Sequence, residues 1–168
     1  AEKETGVSVE IMLRDYQLKT IGKVEVALAE VRAVILQAPC GSGKTVMAAE
    51  LIRRAVDRYE RVLFLAHRRE LIFQCADKLG RFGIDYSIMM AGEKPSLIPD
   101  VVVASIQTLT ARISRGRVEP PRADLIILDE CHHAVAKTHL KLIDGYPDAK
   151  IVGLTATPIR GDGKGLGV

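Results

Sequence analysis

Short, uninterrupted apolar runs alternate along the chain with longer segments in which apolar residues recur every three or four positions. Runs of this length without polar residues are typical of strands that are covered on both faces of a sheet. The predicted strands are 33–36, 62–66, 85–90 (a short one), 101–104, 125–128 and 150–154. The alternation of strands with helices predicts an α/β domain, with a mostly parallel sheet and helices on both faces.

The segments between the strands predict five helices, and individual residues suggest where some of them begin, pack and end. The predicted helices are 15–30, 44–59, a third that starts after 67–70 and ends at Gly80 or Gly83, 105–112 and 134–143. Asp15 and Ser105 are expected to cap their helices. Phe73 is expected on the buried face of the third helix.

Polar residues follow the ends of the predicted strands. In parallel sheets of this kind, ligands bind at the carboxyl ends of the strands, so these groups are expected along one rim. They are the Gly-Ser-Gly-Lys-Thr segment, His67-Arg68-Arg69, Ser105, Asp129-Glu130 and Thr155-Ala156-Thr157.

The segment from Ala38 to Thr45 follows the first strand and opens a helix, which is the setting of a phosphate-binding loop. Glycines allow successive backbone N–H groups to turn inward around an anion, and the helix N-terminus adds partial positive charge. Lys44 is expected to reach the β- and γ-phosphates, and the Thr45 hydroxyl to ligate Mg²⁺. The expected phosphate-binding residues are Pro39, Cys40, Gly41, Ser42, Gly43, Lys44 and Thr45. One departure from the general pattern is that alanine occupies position 38, where the first glycine would stand.

Asp129 and Glu130 directly follow a buried strand, downstream of this loop. Asp129 is expected to hold Mg²⁺ opposite Thr45, and Glu130 to accept a proton from the water that attacks the γ-phosphate. A solvated acidic pair is the alternative, and the preceding loop makes it the weaker one.

Cys131, His132, His133 and His139 also raise the possibility of zinc. Adjacent residues rarely ligate one tetrahedral ion, and no second spaced pair is present, so zinc is disfavoured. His133 and His139 are instead expected on the surface.

Composition adds the class of protein but not its ligand. With 168 residues, 48% hydrophobic and 27% charged, the chain suits a single globular domain, and a net charge of +3 does not by itself indicate nucleic-acid binding. Three widely spaced cysteines suit a reducing compartment. The charged start lacks an apolar signal region, and no run approaches the ~20 apolar residues of a membrane span, so a cytoplasmic protein without membrane contact is expected.

Six segments in this order resemble the motifs of superfamily 2 DExH-box helicases and translocases. Gly-Ser-Gly-Lys-Thr, Asp129-Glu130-Cys131-His132 and Thr155-Ala156-Thr157-Pro158 resemble motifs I, II and III. Upstream and between them, Arg14-Asp15-Tyr16-Gln17 resembles the glutamine motif, 66–71 motif Ia and 104–109 motif Ib. Alanine at position 38 is normal in that family, and the ending from Pro158 resembles the bacterial and phage DNA-directed branch, near restriction and repair helicases.

This resemblance implies a RecA-like P-loop domain that uses ATP and Mg²⁺. It implies that Gln17, with Arg14, recognises adenine, and that His132, Thr155 and Thr157 couple the nucleotide state to nucleic-acid contacts. The residues implied to touch the nucleic-acid backbone are Arg68, Arg69, Ser105 and Thr108. A preference for DNA over RNA rests on the resemblance alone, because both polymers expose the same phosphates.

The resemblance also implies a second RecA-like domain with motifs IV to VI, which this chain does not contain. We expect a flexible lead-in at 1–12, the motor domain at 13–160 and a glycine-rich tail at 161–168 toward the missing domain. Alone, the chain is expected to bind nucleotide, hydrolyse it slowly and not unwind. The alternatives are a non-catalytic nucleotide-dependent module that binds nucleic acid or a partner, and a small nucleotide kinase or GTPase.

Overall fold

A computed structural model describes residues 12–39, 41–92, 100–130 and 137–156 of the chain. Helices and strands alternate within these ranges. The helices are α1 (Asp15–Glu30), α2 (Lys44–Asp57), α3 (Arg69–Arg81), α4 (Ile106–Ser114) and α5 (Lys137–Asp144). The strands are β1 (Ala33–Gln37), β2 (Val62–Ala66), β3 (Ser87–Met89), β4 (Val101–Ser105), β5 (Leu125–Leu128) and β6 (Lys150–Thr155).

The six strands form one sheet in the order β1-β6-β5-β2-β4-β3, and every neighbouring pair is parallel. The predicted α/β fold is therefore confirmed, and each predicted strand is present with bounds that shift by a few residues at most. Parallel pairing brings the ends of β1, β2, β4, β5 and β6 to one rim, as expected.

The core lies in two layers, one on each face of the sheet. Strand β2 shows why the apolar runs are continuous: Phe64 packs in the layer beneath α1, α2 and α3, whereas Leu63 and Leu65 pack in the layer beneath α4 and α5. All five residues of β2 are buried. A strand covered on both sides has no position at which a polar side chain would meet water.

Two expectations about helices are wrong. Asp15 is the first residue of α1 and does not cap it, because Arg14 takes the extended backbone conformation and its N–H donates to Gln17 Oε1 at 2.9 Å. Phe73 is 40% exposed. The buried residues of α3 are Ile72, Cys75, Ala76 and Leu79, and the guanidinium of Arg69 lies 5.3 Å above the Phe73 ring.

Other details agree with the sequence or lie beyond the described residues. Ser105 caps α4, with its hydroxyl accepting the Thr108 N–H at 3.4 Å. The predicted limits of the lead-in and of the glycine-rich tail stay predictions, because residues 1–11 and 157–168 lie outside the described part. Among the helices that the structure describes, none combines the length and apolar character that crossing a bilayer requires.

Candidate nucleotide site

Two glycines shape the described part of the loop between β1 and α2. Gly41 and Gly43 have φ of 79° and 81°, in the left-handed region that favours glycine. Gly43 is the N-cap of α2, and Lys44 Nζ donates to the Ala38 carbonyl at 3.2 Å, so this side chain folds back across the loop. The predicted loop member Cys40 lies outside the described residues.

One cavity of about 870 Å³ brings the predicted catalytic residues together. Phosphate-loop residues line one side of it and residues at the ends of β5 and β6 line another. Those that the sequence predicted are Gly41, Gly43, Lys44, Thr45, Asp129, Glu130 and Thr155. Residues of α3, including Phe73, Gln74 and Asp77, extend its wall, and no motif predicted their presence there.

Asp129 and Glu130 are held by their backbone at the end of β5. Asp129 is 7% exposed, and its N–H donates to the Leu65 carbonyl at 2.9 Å while its Oδ1 accepts the Glu130 N–H at 2.8 Å. Glu130 has a φ of 51°, a conformation that costs a non-glycine residue of order 1–3 kcal/mol and that occurs often at functional sites. The nearest cation to its carboxylate that the structure records is Arg68, whose Nε lies 3.8 Å from Oε2.

The sequence predicted no role for Cys75, which is buried near Asp129. Burial and the Asp129 carboxylate raise the pKa of the Cys75 thiol well above its usual range. A thiol that stays protonated is a poor nucleophile, so Cys75 serves the core.

The glutamine motif contacts the phosphate loop directly. Gln17 is 6% exposed, and its Nε2 donates to the Ser42 carbonyl at 3.0 Å. Tyr16 donates its hydroxyl to the same carbonyl at 2.6 Å. The sequence predicted no role for Tyr16, although this residue stands beside Gln17 in the segment that resembles the glutamine motif. A second cavity of about 460 Å³ lies here, lined by Tyr16, Thr20, Pro39 and Ser42 among others.

Thr155 connects the end of β6 to the same loop. It is 1% exposed, it pairs with Gln37 in the register of β1 and β6, and its carbonyl accepts the Ala38 N–H at 3.0 Å. This hydrogen bond links the strand end directly to the first residue of the loop. The other two residues predicted to couple the sites, His132 and Thr157, lie outside the described part of the chain.

The four residues predicted to touch nucleic acid lie at or just beyond the ends of β2 and β4. The Arg68 side chain is 67% exposed, and Arg69 is exposed and stacks on Phe73. Ser105 is only 8% exposed, and its hydroxyl caps α4 through Thr108 and donates to Gln107 Oε1 at 3.1 Å. A contact from this hydroxyl to a phosphate would have to share or replace one of those bonds.

His139 is buried, at 5% exposed, so its expected place on the surface is wrong. Its Nε2 lies 2.8 Å from His67 Nε2, and His67 Nδ1 lies 2.9 Å from Gln107 Nε2. Because an amide nitrogen donates, His67 accepts at Nδ1 and donates from Nε2 to His139 when its ring is neutral. The contact spans 72 residues of sequence, which explains why no local pattern indicated it.

The zinc alternative gains no support from the residues that can be described. Within them no group of three or more histidine, cysteine, aspartate or glutamate side chains is placed to hold a metal ion. Cys131, His132 and His133 are not among the described residues.

The chain is similar to known proteins over most of its length. Residues 10–160 match the family described as the type III restriction enzyme, res subunit. A 51.5 kDa protein of a Lactococcus phage is 34% identical over 133 residues, which are 79% of this chain and 26% of that protein. The putative mitochondrial ATP-dependent helicase irc3 of Schizosaccharomyces pombe is 32% identical over 171 residues, 93% of this chain and 28% of the relative.

Among solved structures, the Hef helicase domain of Pyrococcus furiosus superposes with a TM-score of 0.71 at 26% identity, covering 88% of this chain and 33% of that one. This similarity confirms the predicted RecA-like fold. The chain spans about a quarter of the length of the Lactococcus phage protein and of irc3.

Proposed function

The chain belongs to the family of the type III restriction enzyme res subunit, and on this premise we propose that it couples ATP binding and hydrolysis to movement on DNA. Its class is that of an ATP-dependent helicase, and its fold is that of the ATP-binding motor domain of superfamily 2. The observation that supports the proposal best is the single cavity that Lys44, Thr45, Asp129 and Glu130 share.

Each of these residues has a role that its position permits. The N–H groups at the start of α2 and the Lys44 ammonium bind the β- and γ-phosphates. Glu130 orients the attacking water and accepts its proton. Thr45 and the buried Asp129 would hold Mg²⁺ through oxygen atoms, the ligands that this ion prefers, and the ion would supply neutralisation of the charge on the phosphates.

Gln17 and Arg14 recognise adenine in this proposal. The structure records one hydrogen bond at Oε1 and one at Nε2 of Gln17. An amide has two acceptor sites and two donor hydrogens, so one of each stays open for the donor and acceptor of an adenine edge.

The nucleic-acid partner contacts Arg68, Arg69, Ser105 and Thr108, and we favour DNA because the relatives include proteins named for restriction enzymes. Phosphate contacts of this kind position a strand without recognising its sequence. Thr155, with His132 and Thr157, relays the nucleotide state to these contacts. A second RecA-like domain completes the enzyme, so this chain alone hydrolyses ATP slowly. Widely spaced cysteines favour the cytoplasm as its compartment.

Single-turnover hydrolysis of Mg·ATP by the native chain, Glu130→Gln and the control Glu119→Gln tests the proposal. Glu119 is exposed and distant in sequence from the motifs. Removal of a general base costs about 10²–10⁴-fold in rate, so Glu130→Gln should hydrolyse far more slowly than both other proteins while still binding Mg·ADP.

Equal rates for all three proteins, with nucleotide still bound, would support the alternative of a non-catalytic binding module. Adding duplex and single-stranded DNA to the same assay tests the coupling. Efficient unwinding by this chain alone would contradict the expectation that a second domain is required.

A further inference from the structure

Two side chains of α1 donate hydrogen bonds to one carbonyl of the phosphate loop. The Tyr16 hydroxyl lies 2.6 Å from the Ser42 oxygen, and Gln17 Nε2 lies 3.0 Å from it. A carbonyl oxygen has two lone pairs, so both are in use. Sequence motifs account for Gln17, whereas Tyr16 has no assigned part in the site.

The orientation of this carbonyl decides where the next amide points. In a planar trans peptide the C=O and N–H bonds point in opposite directions. With the Ser42 carbonyl held against α1, the Gly43 N–H faces away from α1, and Gly43 lines the cavity with Lys44 and Thr45. Within the described residues, no acceptor for the Gly43 N–H is recorded.

The peptide between Ser42 and Gly43 needs an external constraint. Its rotation involves ψ of Ser42 and φ of Gly43, and Gly43, which is in the left-handed region, resists rotation of a neighbouring peptide less than any other residue would. A rotated peptide would present an oxygen atom to the phosphates in place of an N–H group. That exchange would turn an attraction into a repulsion.

Helix α1 is a firm support for such a constraint. Ile21 and Val24 pack in the core, and Glu25 forms ion pairs with Arg54 at 2.8 Å and Arg58 at 3.2 Å on the α2 side. The helix therefore stays in place without Tyr16. Tyr16 is 42% exposed, so burial of its ring does not explain its position, whereas its hydroxyl bond does.

We propose that Tyr16 is a positioning residue for phosphate binding, and that its hydroxyl holds the Ser42–Gly43 peptide with the Gly43 N–H directed at the phosphate oxygens. This inference rests on the proposed function, since it requires that the loop binds a nucleotide. It assigns to Tyr16 an effect on the phosphate groups and none on the choice of base.

The test compares the 168-residue native chain with Tyr16→Phe, which removes one oxygen atom and retains the ring. Calorimetry measures the Kd for Mg·ADP, Mg·GDP and magnesium pyrophosphate. The loss of one hydrogen bond should weaken binding by about three- to tenfold, and by the same factor for all three ligands. Tyr59→Phe is the matched control, because Tyr59 is 97% exposed, and it should bind as the native chain does.

An amide spectrum provides a readout that a change in overall stability does not move. In nitrogen-15-labelled protein without ligand, the Gly43 amide resonance should shift or broaden in Tyr16→Phe and stay unchanged in Tyr59→Phe. This measurement also shows whether the variant is folded.

Three results would overturn the inference. Native Kd values in Tyr16→Phe, even with a lowered Tm, would mean that the hydroxyl serves stability alone. A loss confined to Mg·ADP would mean that Tyr16 recognises the base. If the native chain binds none of the three ligands, the proposed function fails first, and that failure is visible before any variant is made.

Discussion

The two parts of the functional rim differ in how firmly their groups are held. One part, the nucleotide half (Gln17, Ser42, Gly43, Asp129 and Thr155), is built mainly from buried side chains and hydrogen-bonded backbone groups. The other, the arginine half (Arg68, Arg69, Ser105 and Thr108), presents long exposed side chains beside a capped helix.

This difference fits the two proposed ligands, a nucleotide and a nucleic-acid backbone. A nucleotide is compact, and binding its phosphates requires N–H groups that are held in fixed positions before the ligand arrives. A nucleic-acid backbone repeats the same charge along its length, and exposed arginines can bind it in many geometries. Substitutions in the nucleotide half should therefore affect stability and binding strongly, whereas those in the arginine half should affect mainly the response to salt.

Gly43→Ala should have the largest effect. A Cβ at this position would collide with Gln17 Nε2, and the φ of 81° is unfavourable for alanine. Strain and the loss of the Gln17 bond to Ser42 together should cost about 2–4 kcal/mol in the free energy of unfolding, and Mg·ADP binding should be lost.

Gly41→Ala separates these causes, because its φ is 79° but a Cβ there would have no neighbour within 4 Å. It should cost about 1–2 kcal/mol from strain alone, measured by urea unfolding. Equal losses in the two variants would show that the contact with Gln17 contributes nothing.

Glu50→Gln should weaken the support of the nucleotide half. Glu50 is 4% exposed and accepts hydrogen bonds from Arg53 at 2.7 and 2.8 Å and from Arg54 at 2.9 Å, and Arg54 continues to Glu25 of α1. We expect a loss of about 1–3 kcal/mol at neutral pH.

The pH dependence of this loss gives a second measurement. The hydrogen bond from Arg53, opposed by burial and aided by Arg54, lowers the pKa of Glu50 below its ordinary 4.5. The stabilisation is therefore complete above the ordinary pKa and is lost as the pH falls through the lowered one. Urea unfolding should show the native and variant proteins converging in acid. Asp57→Asn, at a side chain that is 63% exposed, should cost less than about 0.5 kcal/mol and is the control.

Ser105→Ala tests whether the hydroxyl in the arginine half serves the fold. Loss of the cap on α4 should cost about 1 kcal/mol, and Ser105→Asp, which retains a capping oxygen, should cost less. Thermal unfolding measures both. A variant with native stability and weakened DNA binding would instead assign the hydroxyl to nucleic acid.

Arg68→Gln should have the smallest effect on stability, below about 0.5 kcal/mol, because its ion pair with Glu130 is 3.8 Å long and its side chain is 67% exposed. DNA affinity should fall, and the slope of log affinity against log salt should decrease by about one. Arg115→Gln, at an exposed arginine beyond α4, should leave the slope unchanged. Equal slopes for both variants would remove Arg68 from the interface.

Most of the nucleotide half could be predicted because its signals are local. The glycines of the loop and the lysine and threonine that open α2 come after β1, and the carboxylates come directly after the buried β5. Parallel pairing brings such strand ends together. Tyr16 and His139 could not be predicted. Their partners, Ser42 and His67, lie 26 and 72 residues away, and no pattern within either helix identifies them.

The sequence by itself determined the strands, the helices and the candidate phosphate loop of this protein, because apolar periodicity and glycine conformation act over a few residues. Only the tertiary structure decided which face of a helix is buried when the apolar pattern allows two. In α3, Ile72 is buried and Phe73 is 40% exposed. The tertiary structure also decided that Thr155 meets Ala38 and that Tyr16 meets Ser42. Those contacts depend on the order of strands in the sheet and on how α1 packs against α2, and both are settled by burial of the whole core.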